Sequence, residues 1–318
     1  MDSEALVQLA LETLTCSQKE LALRLGVSPT QISKWKKGDH MSRDMDEKFR
    51  DIVGIGQKFP EFVMWAGSVE AADKWEKLIK HLAEIAECGE ETGYNTEPLS
   101  DELELLCLQT FMTLREMGVD LPNAFPEELN FDYDEAEDSW KAIDGNPYSH
   151  LIQRIYKALT NVYGFYAAYV VDLIYDDGLK LHDIACKIDS GLLDLAATKL
   201  DDEDLNGLAP NFREFQRHVK SDYVKWLNTV KKEAFRASVP LRAELLDMVS
   251  KTDDSLGQEA ESEWASALGF NSSPLHPDIY MNELLVGMRA IHQVLPAIMK
   301  KLGIDEEFKI DKSELQIS

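Results

Sequence analysis

Cysteine is scarce in this sequence, and the few cysteines form no motif. Cys16, Cys88, Cys107 and Cys186 are scattered over 318 residues, without a Cys-x-x-Cys pair. This spacing argues against a disulfide framework or a zinc site, and it fits buried thiols in a reducing cytosol. We therefore expect a cytoplasmic protein that has no metal-binding residues.

Long apolar runs, export signals and catalytic motifs are missing as well. No run approaches the roughly 18 apolar residues that a membrane-spanning helix needs. The N-terminal sequence MDSEALVQLALETL carries acidic residues where a signal peptide needs basic ones. The sequence has no glycine-rich phosphate loop, GxSxG elbow or HExxH motif. We expect no membrane partner, no cofactor and no catalytic residues, and hence a protein that is not an enzyme.

Acidic residues are abundant, but they are unevenly placed. The chain has 33 Lys and Arg against 58 Asp and Glu, a net charge of −25. Nine basic and nine acidic residues cancel between Met1 and Lys58, so the whole excess lies after Lys58. Thr15–Gly38 alone has five basic residues and one acidic residue. Because salt screens charges beyond roughly 8 Å, a partner at this segment meets a basic surface rather than the net charge.

Two helices are predicted at the N-terminus. Ser3–Leu14 has apolar residues at helical spacing. Ser17 and Glu20 form a capping box, which predicts that a second helix begins at Gln18. Gly26 ends this helix, as expected where the backbone must be left-handed.

A third helix follows after a short turn. Ser28 is its expected N-cap, and Pro29 occupies the first helical position, where a missing N–H does no harm. The helix is predicted to run to Lys37, with Ile32 and Trp35 facing inward. Two short helices joined by a three-residue turn are typical of a helix-turn-helix.

This segment resembles the lambda-repressor/Cro-like family of helix-turn-helix domains, also called the XRE family. The features that match in the family's spacing are Gln18, Leu21-Ala22, Gly26-Val27-Ser28, Ile32-Ser33, Trp35 and Gly38. A helix near Ser42–Val53 also fits such a domain. The resemblance covers the first 55 to 65 residues or so. It implies double-stranded DNA as the partner.

The resemblance also implies which residues meet DNA, because the second helix of the motif lies in the major groove. Lys34 is the best candidate for reading a base, since Lys and Arg commonly pair with guanine. Pro29 departs from the family pattern, because it can touch a thymine methyl group but cannot hydrogen-bond. Other residues would read bases or contact phosphates. The predicted DNA-binding residues are Gln18, Ser28, Pro29, Thr30, Gln31, Ser33, Lys34, Lys36 and Lys37.

The rest of the chain is predicted to be helical, because apolar residues recur at three- and four-residue steps between prolines and glycines. One apolar stripe runs from Phe62 to Ala86, and Asp201–Gly207 is expected to be a solvated loop. Trp75, Trp140, Trp226 and Trp264 are expected to anchor packing. The further predicted helices are Pro98–Gly118, a short one around Trp140, Tyr148–Tyr175, Leu181–Leu200, Phe212–Arg236, Leu241–Val249, Glu259–Leu268 and Asp278–Leu302.

Two sharper interpretations of this helical part are weighed against plain packing. His150, the His182-Asp183 pair and Asp222 loosely follow the ligand order of helical HD-type phosphohydrolases, and His182 with Cys186 could share a helix face as ligands. A polar helix face is the simpler explanation of these residues. The tyrosines of Tyr148–Tyr175 could line a ligand pocket, whereas a core or a dimer interface is the plainer reading.

The sequence thus predicts an all-α protein with three parts: a DNA-binding domain at 1–58, an acidic helical domain at 59–303 for dimerisation or sensing, and a tail at 304–318. We expect a cytoplasmic, homodimeric transcription regulator whose helical domain responds to a protein, peptide or small-molecule effector. The alternative is a non-enzymatic interaction factor, such as an antitoxin, a defence-system component or a phage component, which uses the first domain to tether a partner-binding body to DNA.

Overall fold

The fold is all-α, as the sequence predicts. The computed structural model describes residues 3–100, 105–133, 139–169, 171, 191–205, 207–236, 294–295 and 298–303. Within these ranges every regular element is a helix, and no strand is formed. None of the helices described there is both long and apolar enough to cross a bilayer.

Four helices make up the N-terminal segment, and their order agrees with the predicted one. They are α1 Ser3–Thr13, α2 Gln18–Leu25, α3 Pro29–Trp35 and α4 Arg43–Val53. Helix α1 packs against α4 and against the first helix of the following segment. Helix α3 ends two residues earlier than predicted, because Lys36–Gly38 form a turn.

The helices after residue 59 are of very unequal length. They are α5 Pro60–Ala66, α6 Val69–Cys88, α7 Glu97–Ser100, α8 Leu106–Glu116, a 3-10 turn Glu127–Leu129, α9 Ser139–Gly145, α10 Pro147–Tyr169, α11 Leu192–Ala197, α12 Asp202–Leu205 and α13 Phe212–Arg236. Residues 298–302 are helical too. The predicted helices Leu241–Val249 and Glu259–Leu268 lie outside the described residues, as does the predicted tail.

The predicted apolar stripe from Phe62 to Ala86 is shared by two helices rather than one. The chain breaks at Gly67, whose φ of 88° suits glycine and few other residues. A side chain at this position would also collide with the backbone carbonyl of Asn123. The helical spacing continues across the break, which is why periodicity alone did not reveal it.

The prediction of a solvated loop at Asp201–Gly207 is wrong. Residues Asp202–Leu205 form α12, and Asp204 is only 8% exposed. Arg154 on α10 donates from Nε to Asp204 Oδ1 at 2.5 Å. A distant arginine therefore compensates the buried carboxylate, and the local run of acidic residues gave no sign of it.

Aromatic residues fill the centre of the core. Trp75 is fully buried, and its ring meets those of Phe111, Phe125 and Tyr148 edge to face at centroid distances of 5.5, 5.1 and 6.5 Å. Such pairs add to the stabilisation from buried apolar area. Trp75 is therefore a packing anchor, as predicted.

The other predicted aromatic positions have mixed outcomes. Trp226 is buried, whereas the prediction for Trp140 is wrong, because this side chain is 60% exposed. Trp264 lies outside the described residues. Of the tyrosines of α10 whose side chains are described, Tyr156, Tyr163 and Tyr166 are buried, whereas Tyr148 near the start of the helix is half-buried.

The chain separates into two compact units. One unit contains residues 1–164 and 190–222, and the other contains 165–189 and 223–318. The helix-turn-helix segment therefore belongs to the same unit as α5 to α9. The division into 1–58, 59–303 and 304–318 stays a prediction.

Candidate nucleic-acid interface

Helix α2 begins with the predicted capping box. The Ser17 hydroxyl accepts from the backbone N–H of Glu20 at 3.3 Å, and the Ser17 N–H donates to Glu20 Oε2 at 2.8 Å. The Glu20 carboxylate accepts from the N–H and from the hydroxyl of Ser17, and these two hydrogen bonds hold the pKa of Glu20 below its ordinary value. The helix ends at Gly26, which has the predicted left-handed conformation with φ of 70°. Both ends of α2 are thus fixed by local sequence.

Helix α3 is anchored from its inner face. Ile32 is fully buried and Trp35 is 5% exposed, as predicted. The Trp35 ring packs edge to face on Phe49 of α4 at 5.9 Å, and its Nε1 donates to the carbonyl of His40 at 3.2 Å. At the N-terminal end, the Ser28 hydroxyl accepts from the N–H of Gln31 at 3.2 Å. This anchoring leaves the opposite face of α3 open to solvent.

Ser3 holds the C-terminal end of α3 and is a residue that the sequence reasoning missed. Its hydroxyl is shared between the carbonyls of Trp35 at 3.0 Å and Asp39 at 2.8 Å, and the residue is only 4% exposed. The bond therefore ties the start of α1 to the turn after α3. Nothing in the local sequence around Ser3 indicates a partner more than 30 residues away.

The predicted DNA-binding residues share one region of the surface. Six of the nine are exposed: Ser28, Pro29, Thr30, Lys34, Lys36 and Lys37. The other three are half-buried: Gln18, Gln31 and Ser33. Their contacts with DNA stay a prediction, but they lie on α3, its flanking turns and the adjacent start of α2.

One hydrogen bond joins two of the half-buried residues across the motif. The Ser33 hydroxyl on α3 donates to Gln18 Oε1 at the start of α2, at 3.1 Å. The bond occupies the amide oxygen of Gln18. The amide nitrogen has no partner among the described residues and is left to donate to a ligand outside. Ser33 thereby orients the side chain of Gln18. The position of Ser33 in the sequence did not show whether it orients another residue or contacts a base.

The charges around α3 are of one sign. Residues 26–38 contain three lysines and no acidic residue. Lys34, Lys36 and Lys37 take part in no ion pair within the described part of the chain. By contrast, the arginines of α4 are paired, Arg43 with Glu47 at 3.1 Å and Arg50 with Asp46 at 2.7 Å. The positive charge of Lys34 on α3 and of Lys36 and Lys37 just after it is therefore not compensated by an ion pair among the described residues.

Comparison with known proteins agrees with this geometry. A protein-family model described as helix-turn-helix matches residues 7–43. The N-terminal segment of this chain is thus a lambda-repressor-like helix-turn-helix, and the resemblance seen in the sequence is confirmed. Neither the curated proteins nor the solved structures contain a significant match to the chain.

The histidines considered as metal ligands do not form a cluster where they are described. His150 Nε2 lies 3.8 Å from Asp144 Oδ1, and Asp222 pairs instead with His218 at 3.3 Å. His182, Asp183 and Cys186 lie outside the described residues. Within the part of the chain that the structure describes, no three His, Cys, Asp or Glu residues are arranged to hold a metal.

The described cysteines differ in burial. Cys107 is buried, but Cys88 is exposed, so the expectation of buried thiols is wrong for Cys88. Cys16 is half-buried. All three are free thiols.

Proposed function

We propose that this protein is a sequence-specific DNA-binding transcription regulator that acts as a homodimer. The observation that carries the proposal is the outer face of α3, an anchored helix on which exposed polar residues and Lys34 stand, with the exposed Lys36 and Lys37 in the turn that follows. A helix of this kind fits the major groove of DNA, with its N-terminal residues at the base edges. No catalytic role is proposed for any residue.

Within the groove, each exposed residue has a role that its chemistry supports. Lys34 would pair with guanine O6 and N7, the commonest specific contact of a cationic side chain. Lys36 and Lys37 follow α3 and would contact phosphates, which position the protein but read no sequence. The free amide nitrogen of Gln18 would donate to a phosphate at the N-terminus of α2.

Dimerisation is proposed because one helix-turn-helix offers few base contacts. Two copies that bind half-sites one DNA turn apart, about 34 Å, multiply the specificity. The helices after residue 59 would supply the dimer contacts or sense an effector. Their negative charge would keep DNA away from all surfaces except α3, and so weaken non-specific binding.

Fluorescence anisotropy of the full-length protein tests the proposal. The protein is titrated onto a duplex from upstream of its own gene and onto a scrambled duplex, at two salt concentrations. We expect tighter binding to the native duplex and a loss of affinity for both duplexes as salt rises, because counterions are released on binding. Equal weak binding to both duplexes, or none, would contradict the proposal. The helix-turn-helix would then serve the alternative role of docking a protein partner.

A further inference from the structure

The linker between the helix-turn-helix and the following helices is held in one conformation. We define the linker as residues 54–59, with sequence GIGQKF. Its two glycines have positive φ values of 75° and 58°, in the left-handed region that favours glycine. Ile55 between them is only 1% exposed, and the N–H of Lys58 donates to the carbonyl of Ile55 at 3.2 Å. The linker is thus packed and internally hydrogen-bonded.

Arg50 of α4 fastens the linker to the helix-turn-helix. Its Nη1 donates to the carbonyls of Gly56 at 3.1 Å and Lys58 at 2.9 Å. Its Nε donates to Asp46 Oδ2 at 2.7 Å, and the two side chains are only 15% and 12% exposed. Charge-assisted hydrogen bonds that are shielded from water are stronger than those on the surface. The guanidinium of Arg50 therefore holds the Asp46 carboxylate and two carbonyls of the linker at once.

Lys58 fastens the other end of the linker to α6. Its Nζ lies 2.7 Å from Asp73 Oδ1 and 3.0 Å from Glu76 Oε2, and its side chain is 21% exposed. Burial disfavours the charged ammonium, but the hydrogen bonds to the two carboxylates outweigh it and raise the pKa of Lys58. A single lysine thus bridges the linker to two carboxylates one helical turn apart.

We propose that Arg50 and Lys58 are positioning residues that, together with the packing of α1 against α5, hold α3 at a fixed angle to α5 and α6, so that a dimer accepts DNA half-sites at one spacing only. The inference rests on the proposed function. A flexible linker lets two DNA-binding segments span a range of separations. A rigid one does not, and the spacing of half-sites then mirrors the geometry of the protein.

Selection from a library of random duplexes tests this inference with three full-length proteins: wild type, Lys58→Met and Lys80→Met. Lys80 is the matched control, because it also pairs with Glu76, at 2.7 Å, but lies on α6 and not on the linker. We expect wild type and Lys80→Met to enrich paired half-sites at one spacing. Lys58→Met should enrich the same half-site at several spacings.

The other outcomes of the selection separate the positioning role of Lys58 from the proposed DNA binding. A single spacing with Lys58→Met overturns the positioning role, while enrichment of a half-site upholds sequence-specific binding. Unpaired half-sites with wild type also overturn the inference and leave DNA binding intact. No enriched sequence with wild type overturns the proposed function and the inference together.

Amide hydrogen exchange separates loosening of the linker from a failure to fold. In Lys58→Met the amide at position 58 should exchange about fivefold faster than in wild type, because the bridge to α6 is gone. The amides of α3 and α6 should keep their wild-type protection. Unchanged exchange at position 58 overturns the inference, and so does loss of protection throughout α3, because Lys58 would then stabilise the domain rather than position it.

Discussion

Asp194 illustrates how a single residue responds to its surroundings in this protein. It lies half-buried on α11, where the hydroxyl of Thr113 donates to its Oδ1 at 2.6 Å. Burial raises the pKa of Asp194 from its ordinary 3.8 to about 6, against the lowering effect of Thr113 and with a further rise from the charge of Glu116. The folded protein therefore binds the proton of Asp194 more tightly than the unfolded chain does.

The pH dependence of stability follows from this direction. The contribution of Asp194 to the free energy of unfolding is most favourable below about pH 4 and falls as the pH rises to about 6. Asp194→Asn cannot ionise, and its amide oxygen can still accept from Thr113. We expect the variant to be more stable than wild type at pH 7 by roughly 1 to 2 kcal/mol, after allowance for partial exposure.

Urea unfolding at pH 4 and pH 7 measures this difference. The matched control is Asp51→Asn, which removes an exposed carboxylate on α4 and should leave the difference between the two pH values unchanged. If Asp194→Asn is no more stable than wild type at pH 7, burial does not disfavour this carboxylate.

At the scale of single helices, the N-caps allow a matched comparison. Ser17 caps α2 with a side-chain hydrogen bond and completes the capping box. Ser42 stands at the same position of α4, but its side chain makes no capping hydrogen bond. Ser17→Ala should therefore lower the free energy of unfolding by about 1 kcal/mol, whereas Ser42→Ala should change it by a few tenths. Equal losses in the two variants, measured by urea unfolding, would show that the capping box contributes nothing of its own.

The helices of the helix-turn-helix were predictable because their signals are local. Ser17, Gly26 and Ser28 each act on a neighbouring backbone group, so the residue types alone locate both ends of α2 and the start of α3. The break at Gly67 carries signals of the same local kind, since Gly67 ends α5 in a left-handed conformation and the Ser68 hydroxyl accepts from the N–H of Ala71 at the start of α6. The burial of Asp204 on α12 was not predictable in this way, because it depends on Arg154, which lies 50 residues away in the sequence. Periodicity carries no information about such distant partners.

At the candidate site, too, the exposed residues were predictable from nearby sequence, whereas the contacts that orient them were not. The residue types of α3 place Lys34 on its exposed face, since Ile32 and Trp35 must face the core. The bond from Ser33 to Gln18 and the bonds from Ser3 to the turn after α3 join separate helices. These orienting contacts became visible only when the helices were placed together.

On the scale of the whole molecule, charge is segregated. The first 58 residues are neutral as a group, and the full excess of −25 lies in the rest of the chain. This separation explains how an acidic protein can present a DNA-binding surface. In the proposed complex, the lysines on and just after α3 would attract phosphates, and acidic residues of the rest of the chain would repel them within the screening distance of roughly 8 Å.

The central claim is that α3 reads DNA sequence, and one measurement tests it most directly. Anisotropy titrations compare wild type, Lys34→Ala and Lys77→Ala on the native and scrambled duplexes. Lys77 is an exposed lysine on α6, so its replacement makes the same change of charge away from α3. We predict that Lys34→Ala loses about 1 to 3 kcal/mol of preference for the native duplex. Lys77→Ala should behave as wild type. An unchanged preference in Lys34→Ala, or an equal loss in both variants, would contradict the account.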